Sequence, residues 1–347
     1  MRALTISQHG GLEQLTYTED APTPELAGGD EVRVRVHAAA LNHLDLYVLH
    51  GAPGVTITPG WVMGGDGAGV VDAVGASVTN VKVGDRVLLN PGVSDRTCEY
   101  CRMGEHSLCV KYALLGEHRA GTLADYIVVP AANAWPVPPG VSWEVAAAYP
   151  LATLTAWRMV VTRAQVKAED LVLIWGIGGG VALAALQLVK RIGARAWVTS
   201  GSDEKLARAR AMGADETFNH RTQDVAKEVR ARTGKRGADV VIDSVGADTW
   251  KQSLLALGKR GRLVTCGGTS GPMLETDVRR LFWNQWTLMG STMGNDREFA
   301  AIVAALGRGE LLPPVDSVFP LSEGRAAFAR LESGAQFGKI VVRVAGA

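Results

Sequence analysis

The sequence predicts an α/β protein, a doubly wound parallel sheet joined to a separate, mainly β domain, and three observations carry that prediction. Between residues 151 and 293, apolar strand-like runs alternate with helical patterns. A glycine cluster, Gly176-Ile177-Gly178-Gly179-Gly180, lies directly between a buried-strand run and an apolar helix. Residues 1–150 instead read as short β-runs bounded by Gly, Pro or Asn. Residues 1–150 and 294–347 are therefore expected to form one domain and residues 151–293 the other.

In the first stretch, Glu31-Val32-Arg33-Val34-Arg35-Val36 alternates strictly and predicts a half-buried strand. Further strands are expected over residues 69–75, 85–89 and 124–129, and the prolines of residues 135–140 exclude helix interior there. The second stretch predicts strands over 171–175, 196–200, 216–219, 240–243, 262–266 and 288–292. Helices are expected between them over 182–192, 203–212, 223–232, 249–257 and 277–286. Strands alternating with crossover helices give a parallel sheet. The tail supplies a helix over 297–307, a Pro-containing link, a helix over 323–332 and a strand over 339–344, expected to return to the first domain.

Whole-chain properties narrow the function. A chain of 347 residues can bury two cores, and 47% hydrophobic with 20% charged residues is an ordinary soluble composition. Net charge is +1 without a Lys/Arg stripe, which argues against nucleic acid and anionic membrane partners. The start of the chain turns polar too soon for a signal peptide, and no apolar run reaches about 18 residues. A cytoplasmic location is expected. Three of the four cysteines, Cys98, Cys101 and Cys109, are bunched, which suits a metal site in a reducing compartment better than disulfides.

The glycine cluster is the strongest chemical signal. After the strand Leu171-Val172-Leu173-Ile174-Trp175, it allows a tight turn, close approach of a pyrophosphate and close helix packing. Gly178, Gly179, Gly180 and Val181 would present backbone N–H groups at the positive end of the next helix. The motif ends on Ala182, still small. The following strand ends Thr199-Ser200-Gly201-Ser202, where a carboxylate would bind the ribose of NAD, and no acid appears before Asp203. Ser200, Gly201, Ser202 and Lys205 can instead cradle a 2′-phosphate, so NADP(H) is favoured over NAD(H), with an inward-turned Asp203 as the alternative. His220 and Gly267 complete the cofactor-side candidates.

Together with this unit, Ala40-Leu41-Asn42-His43-Leu44-Asp45, Gly64-Gly65-Asp66-Gly67-Ala68-Gly69, the cysteine loop, Pro150-Leu151-Ala152-Thr153-Leu154-Thr155-Ala156-Trp157 and Phe337-Gly338-Lys339 resemble the medium-chain dehydrogenase/reductase family over essentially the whole length. The resemblance implies a GroES-like catalytic domain beside a Rossmann domain. Zinc alcohol dehydrogenases of that family hold a catalytic zinc through positions that fall here on Asn42, Gly65 and near Leu151. Gly and Leu offer no ligand, and a catalytic zinc normally needs three, so catalytic zinc is not expected. A site built from His43, Asp45 and Asp66 is the alternative.

The resemblance then points to the quinone oxidoreductase branch, which implies hydride transfer from NADPH to a quinone, an enone or another carbonyl. On that reading Asn42, Asp45 and Tyr47 are the catalytic candidates, with Asn42 donating to the developing oxyanion and Tyr47 bonding it or relaying a proton. Thr155 matches a nicotinamide-contacting position, and His43 is a candidate for the cofactor phosphate. Asp95, Cys98, Cys101 and Cys109 match the family's structural-zinc spacing, with an acid at the first of four cysteine positions. The partners implied are a small-molecule substrate and a second copy, a homodimer through the edge of the parallel sheet. A zinc alcohol dehydrogenase with an unusual metal site, or a nucleotide-binding protein without catalysis, are the competing readings.

Overall fold

Two short strands, β1 (Ala3–Ile6) and β2 (Thr16–Thr18), pair antiparallel before the alternating segment begins. That segment is β3 (Glu31–Ala40), in which Val32, Val34 and Val36 are fully buried while Arg35 faces solvent, the outcome its period of two requires. Helix α1 (His43–His50) follows, then β4 (Trp61–Val62), β5 (Asp66–Val74), β6 (Arg86–Leu89) and the small pair β7 (Gly92–Val93) and β8 (Ala113–Leu114). Between β7 and β8 lies the short helix α2 (Glu99–Arg102). Strands β9 (Tyr126–Pro130) and β10 (Ala134–Pro136) and helix α3 (Trp143–Ala148) complete this part.

The computed structural model describes residues 1–51 and 53–345. The chain forms two compact units, Met1–Ala152 with the returning segment from Gly294, and Thr153–Met293. Helix α4 (Pro150–Trp157) and a π-helical turn over Arg158–Arg163 carry the chain into the second. There the order is β11 (Leu171–Ile174), α5 (Gly180–Ile192), β12 (Arg195–Ser200), α6 (Asp203–Ala211), β13 (Glu216–Asn219), α7 (Val225–Arg232), β14 (Ala238–Asp243), α8 (Ala247–Ala256), β15 (Leu257–Thr265), α9 (Val278–Asn284) and β16 (Thr287–Gly290). Its sheet runs β13-β12-β11-β14-β15-β16, every pairing parallel. The order reverses beside β11, the topological switch point where such sheets bind ligands. This is the doubly wound Rossmann sheet expected from the alternation.

The tail adds α10 (Asp296–Gly307), β17 (Val315–Pro320), α11 (Gly324–Glu332) and β18 (Lys339–Arg343) to the first unit. The main sheet there runs β10-β6-β5-β3-β18-β17, with β9 also on β3. The first unit is mainly β, as the short strand-like runs of the sequence predict.

Several expected bounds move, each for a local reason. Helix α5 starts at Gly180, not residue 182, because Gly179 already serves as its N-cap. Strand β15 starts at Leu257, five residues before the expected 262, and Arg260 with φ +58 marks the bulge where its register to β14 shifts. Helix α9 stops at Asn284 rather than 286. Gln285 turns left-handed there, and the Trp286 indole leaves to donate to the Gly258 carbonyl at 2.8 Å. The Pro-containing link of the tail includes β17, which pairs parallel with β18.

Candidate active site and nucleotide site

The ends of three neighbouring strands bring a polar cluster together. Ala40 at the end of β3 stands opposite Asp66 of β5 on one side and Val341 of β18 on the other. Asn42 follows β3 by two residues, and Lys339 opens β18. Gly338 makes that start possible: its φ is +119, and a Cβ there would lie 2.3 Å from the Pro314 carbonyl oxygen. The Lys339 Nζ donates to Asn42 Oδ1 at 2.5 Å and to Asp66 Oδ2 at 3.0 Å. Asn42 Nδ2 donates to the same Asp66 oxygen at 2.9 Å and, more weakly, to the Ala40 carbonyl at 3.4 Å. The other carboxylate oxygen, Asp66 Oδ1, accepts from the Leu151 N–H at 2.9 Å.

Asn42 is also the N-cap of α1, and Asp45, three residues on, accepts from its backbone N–H at 2.7 Å. Asp45 is fully buried. Burial pushes its carboxyl up to about 7, opposed by the Asn42 N–H and the Lys339 ammonium and reinforced by Asp66. Tyr47 lies two residues further along α1, about 200° around the helix from Asp45, so the two side chains leave opposite faces. Of the three expected catalytic residues, Asn42 and Asp45 meet through a hydrogen bond, and Tyr47 is half-buried on the same helix. Both amide hydrogens of Asn42 have acceptors inside the cluster. His43, at the first position of α1, is exposed.

Around Gly65 and Asp66 the neighbours are leucine side chains, a backbone carbonyl and N–H donors. A Cβ on Gly65 would meet Leu151 Cδ1 at 3.3 Å, the Leu115 carbonyl oxygen at 3.5 Å and Leu44 Cδ2 at 3.7 Å. Both oxygens of Asp66 are committed to N–H donors, one of them a cation. Among the described residues, the only grouping of three or more metal-binding side chains is Asp95, Cys98, Cys101 and Cys109.

In that loop the four ligand atoms lie within 4.8 Å of one another, with Cys98 Sγ 3.5 Å from Cys101 Sγ and no disulfide. Cys109 Sγ accepts from the backbone N–H groups of Asp95 at 3.2 Å and Lys111 at 3.3 Å. Asp95 reaches the group: its Oδ1 accepts from the Cys98 N–H at 3.0 Å and lies 3.4 Å from Cys101 Sγ. Three thiolates and a carboxylate in this arrangement can close a tetrahedron around zinc.

In the second unit, β11 leads into Gly176 and Gly178, with φ of +72 and +117, and Gly179 caps α5. The first N–H groups of a 13-residue helix, including those of Gly180 and Val181, therefore have no intrahelical acceptor. At the end of β12, the Ser202 hydroxyl accepts from the Lys205 N–H at 3.4 Å, and the Ser202 N–H donates to Ser200 Oγ at 3.2 Å. Asp203 turns to Asn219, whose Nδ2 donates to it at 2.8 Å. The His220 N–H donates to the Ser200 carbonyl at 3.1 Å, and its ring tilts against Trp175. Gly267 lies just past the end of β15. The Thr155 hydroxyl lies 3.6 Å from Met293 Sδ.

Two residues emerge that the sequence reading gave no role. Arg221 lies over Gly201: a Cβ there would sit 2.6 Å from its Nε. The signal available was a basic residue directly after the strand that neighbours Ser200. Lys339 was visible only as part of a motif, because nothing local shows that β18 returns beside β3.

Comparison with known proteins agrees with this layout. The family model described as alcohol dehydrogenase GroES-like domain matches residues 28–139, and that described as zinc-binding dehydrogenase matches residues 180–308. A zinc-type alcohol dehydrogenase-like protein of Schizosaccharomyces pombe is 31% identical, covering 99% of each chain. The quinone oxidoreductase of Pseudomonas aeruginosa is also 31% identical, over 98% of this chain and 99% of its own. A crystal structure of an NAD-dependent alcohol dehydrogenase is 44% identical, with a TM-score of 0.94 over 99% of this chain and 100% of that one.

Proposed function

This chain belongs to the medium-chain dehydrogenase/reductase family, and on that premise we propose that it is an NADP(H)-dependent reductase of quinones, enones or related carbonyls working without catalytic zinc. The observation that carries the reading is the Lys339–Asp66–Asn42 cluster, which fills with an ammonium and an amide the region where a metal would need ligands. NADPH would supply the hydride. The chain's own task is to hold the cofactor, orient the acceptor and stabilise negative charge on its oxygen.

The glycine turn and the start of α5 suit a pyrophosphate. Ser200, Gly201 and Arg221, with Lys205 nearby, suit a 2′-phosphate, while Asp203 is occupied by Asn219. Asp95, Cys98, Cys101 and Cys109 would hold one structural zinc, which steadies a loop and takes no part in the reaction. We further propose a homodimer through the β16 edge and a cytoplasmic setting, in keeping with four unpaired cysteines. No helix among the described residues is long and apolar enough to cross a membrane.

The 44% identical alcohol dehydrogenase favours a second reading, NAD-linked alcohol oxidation. A stopped-flow screen of NADPH and NADH oxidation against quinones, enones and aldehydes, with zinc measured on the same sample, separates the two. About one zinc per chain and chelator-resistant turnover with NADPH is expected. About two zincs, or turnover abolished by a chelator without unfolding, supports alcohol dehydrogenase chemistry instead.

A further inference from the structure

The parallel sheet reverses between β11 and β14, and β14 ends on Asp243, whose carboxylate is fully buried. Resting on the reading that this unit binds a nicotinamide dinucleotide, we propose that Asp243 is a positioning residue for it. Asp243 holds the turn over residues 244–246 as the second wall of the crevice, opposite the glycine turn that follows β11.

An ionised carboxylate offers about four acceptor positions, and four donors meet this one. Asp243 Oδ1 accepts from the Val245 N–H at 2.8 Å and, more weakly, from the Gly246 N–H at 3.3 Å. Oδ2 accepts from the Ser253 hydroxyl at 2.7 Å and the Thr249 hydroxyl at 2.8 Å. The two N–H groups belong to the turn after β14. The two hydroxyls stand four residues apart on α8, one above the other. All four donors are neutral, so burying the charge is costly. A fully satisfied network of this kind fixes one arrangement of the backbone it holds.

That backbone is pressed from both sides. Gly246 has φ +95, and a Cβ there would lie 2.7 Å from the Gly271 carbonyl oxygen and 2.8 Å from Gly268 Cα. The turn therefore packs directly on the loop after β15. From that loop the Ser270 N–H and hydroxyl both donate to the Val245 carbonyl, at 2.8 and 2.9 Å. On the β11 side, Val245 Cγ2 lies 3.6 Å from the place of a Cβ on Gly176, the first glycine of the nucleotide turn. Ser244 and Val245 are half-buried, and Gly267 and Thr269 are exposed, so the edge of the crevice is accessible from solvent. A dinucleotide laid across the switch point runs between these walls. Without the carboxylate, Val245 is free to leave Gly176 and the crevice widens.

Cofactor binding, read by nicotinamide fluorescence on variants shown to be folded by urea titration, tests the role. Asp243→Asn turns one acceptor oxygen into a donor and should weaken NADPH and NADH alike by about tenfold or more. Val245→Ala removes the contact on Gly176 and should cost about threefold for each. Because both act through one contact, Asp243→Asn/Val245→Ala should bind within about twofold of Asp243→Asn alone. Thr249→Val, which loses only the hydroxyl, should weaken both cofactors by about threefold, and Thr249→Ser should stay within about twofold of wild type. Unchanged binding by folded Asp243→Asn, a loss confined to one cofactor, or losses that multiply in the double variant overturns the proposal. Should Asp243→Asn not fold, the Thr249 pair decides, and equal binding by Thr249→Val and Thr249→Ser overturns it. A wild-type protein that binds neither cofactor sinks the dinucleotide reading itself, and the role of Asp243 with it.

Discussion

Lys339 and Asp66 form an ion pair 3.0 Å long between side chains that are 4% and 0% exposed. Little water screens the pair, so removing one partner leaves the other charged and buried. Lys339→Met is expected to destabilise the fold by about 3–5 kcal/mol. Lys339→Met/Asp66→Asn should lose clearly less, because the replacement amide is neutral and can still accept from Leu151. Urea unfolding of both variants checks this, and equal losses would mean that stranded charge is not the cause.

Asp45 gives the protein a pH dependence of definite sign. Its folded-state carboxyl, pushed up to about 7 by burial, lies above the ordinary aspartate value of 3.8. Such a group contributes stability that is fully present below about pH 4 and is lost as pH rises through 7. Wild type should therefore lose stability between pH 5 and pH 8 relative to Asp45→Asn, by an amount on the order of 2–4 kcal/mol. The asparagine can still accept from the Asn42 N–H. Urea midpoints of the two proteins at both pH values decide it, and parallel profiles would show that Asp45 stays ionised.

Arg221 and Gly201 make cofactor choice testable from two sides. Arg221→Ala should weaken NADPH by about 10- to 100-fold, the worth of a charge-assisted contact to phosphate, and leave NADH nearly unchanged. Gly201→Ala places a methyl 2.6 Å from the Arg221 Nε and should displace the guanidinium with a smaller effect in the same direction. Lys205→Ala should also act on NADPH more than on NADH. Dissociation constants for both cofactors are the measurement, and equal losses for the two would remove these residues from phosphate recognition.

What the sequence reveals follows the range of the interactions. The parallel sheet was legible because each strand and helix carries its own period, and the glycine turn because its constraints are local. The clustering of Asp95, Cys98, Cys101 and Cys109 was legible for the same reason, since all four lie inside 15 residues. Lys339 was not, since it lies 297 residues from Asn42 and 273 from Asp66 and meets them only through the register of β18 on β3. The pairing of Asn42 with Asp66 rather than with a substrate oxygen was hidden likewise, because hydrogen-bond partners across a sheet leave no periodic trace. Arg221 depended on β13 lying beside β12, a tertiary fact with only a weak local sign.

The cysteine loop should behave as a structural element. Cys101→Ser removes one of two buried thiols and is expected to lower zinc content from about one per chain and to reduce Tm. The loop is tied to the start of α10 by Arg96, 2.9 Å from Asp296, so its loosening should be felt there first. Turnover at low temperature should persist. Lost turnover in a fully folded variant would give the loop a role beyond structure.

The edge of the parallel sheet bears on assembly. Among the described residues β16 pairs with β15 and with no other strand, and α9, which precedes it in the chain, buries none of its residues. Phe282 and Trp283 on that helix are 63% and 76% exposed, a large apolar surface for a protein in water. A twofold-related copy would cover the same patch on both partners and extend the sheet through its open edge. Aromatic anchors of this kind dominate interface energies, so Trp283→Glu should shift the protein toward monomer while NADPH binding is kept. Light scattering after size-exclusion chromatography at micromolar concentration reads both states. A wild-type monomer would rule the dimer out, and a variant as massive as a dimeric wild type would place the interface elsewhere.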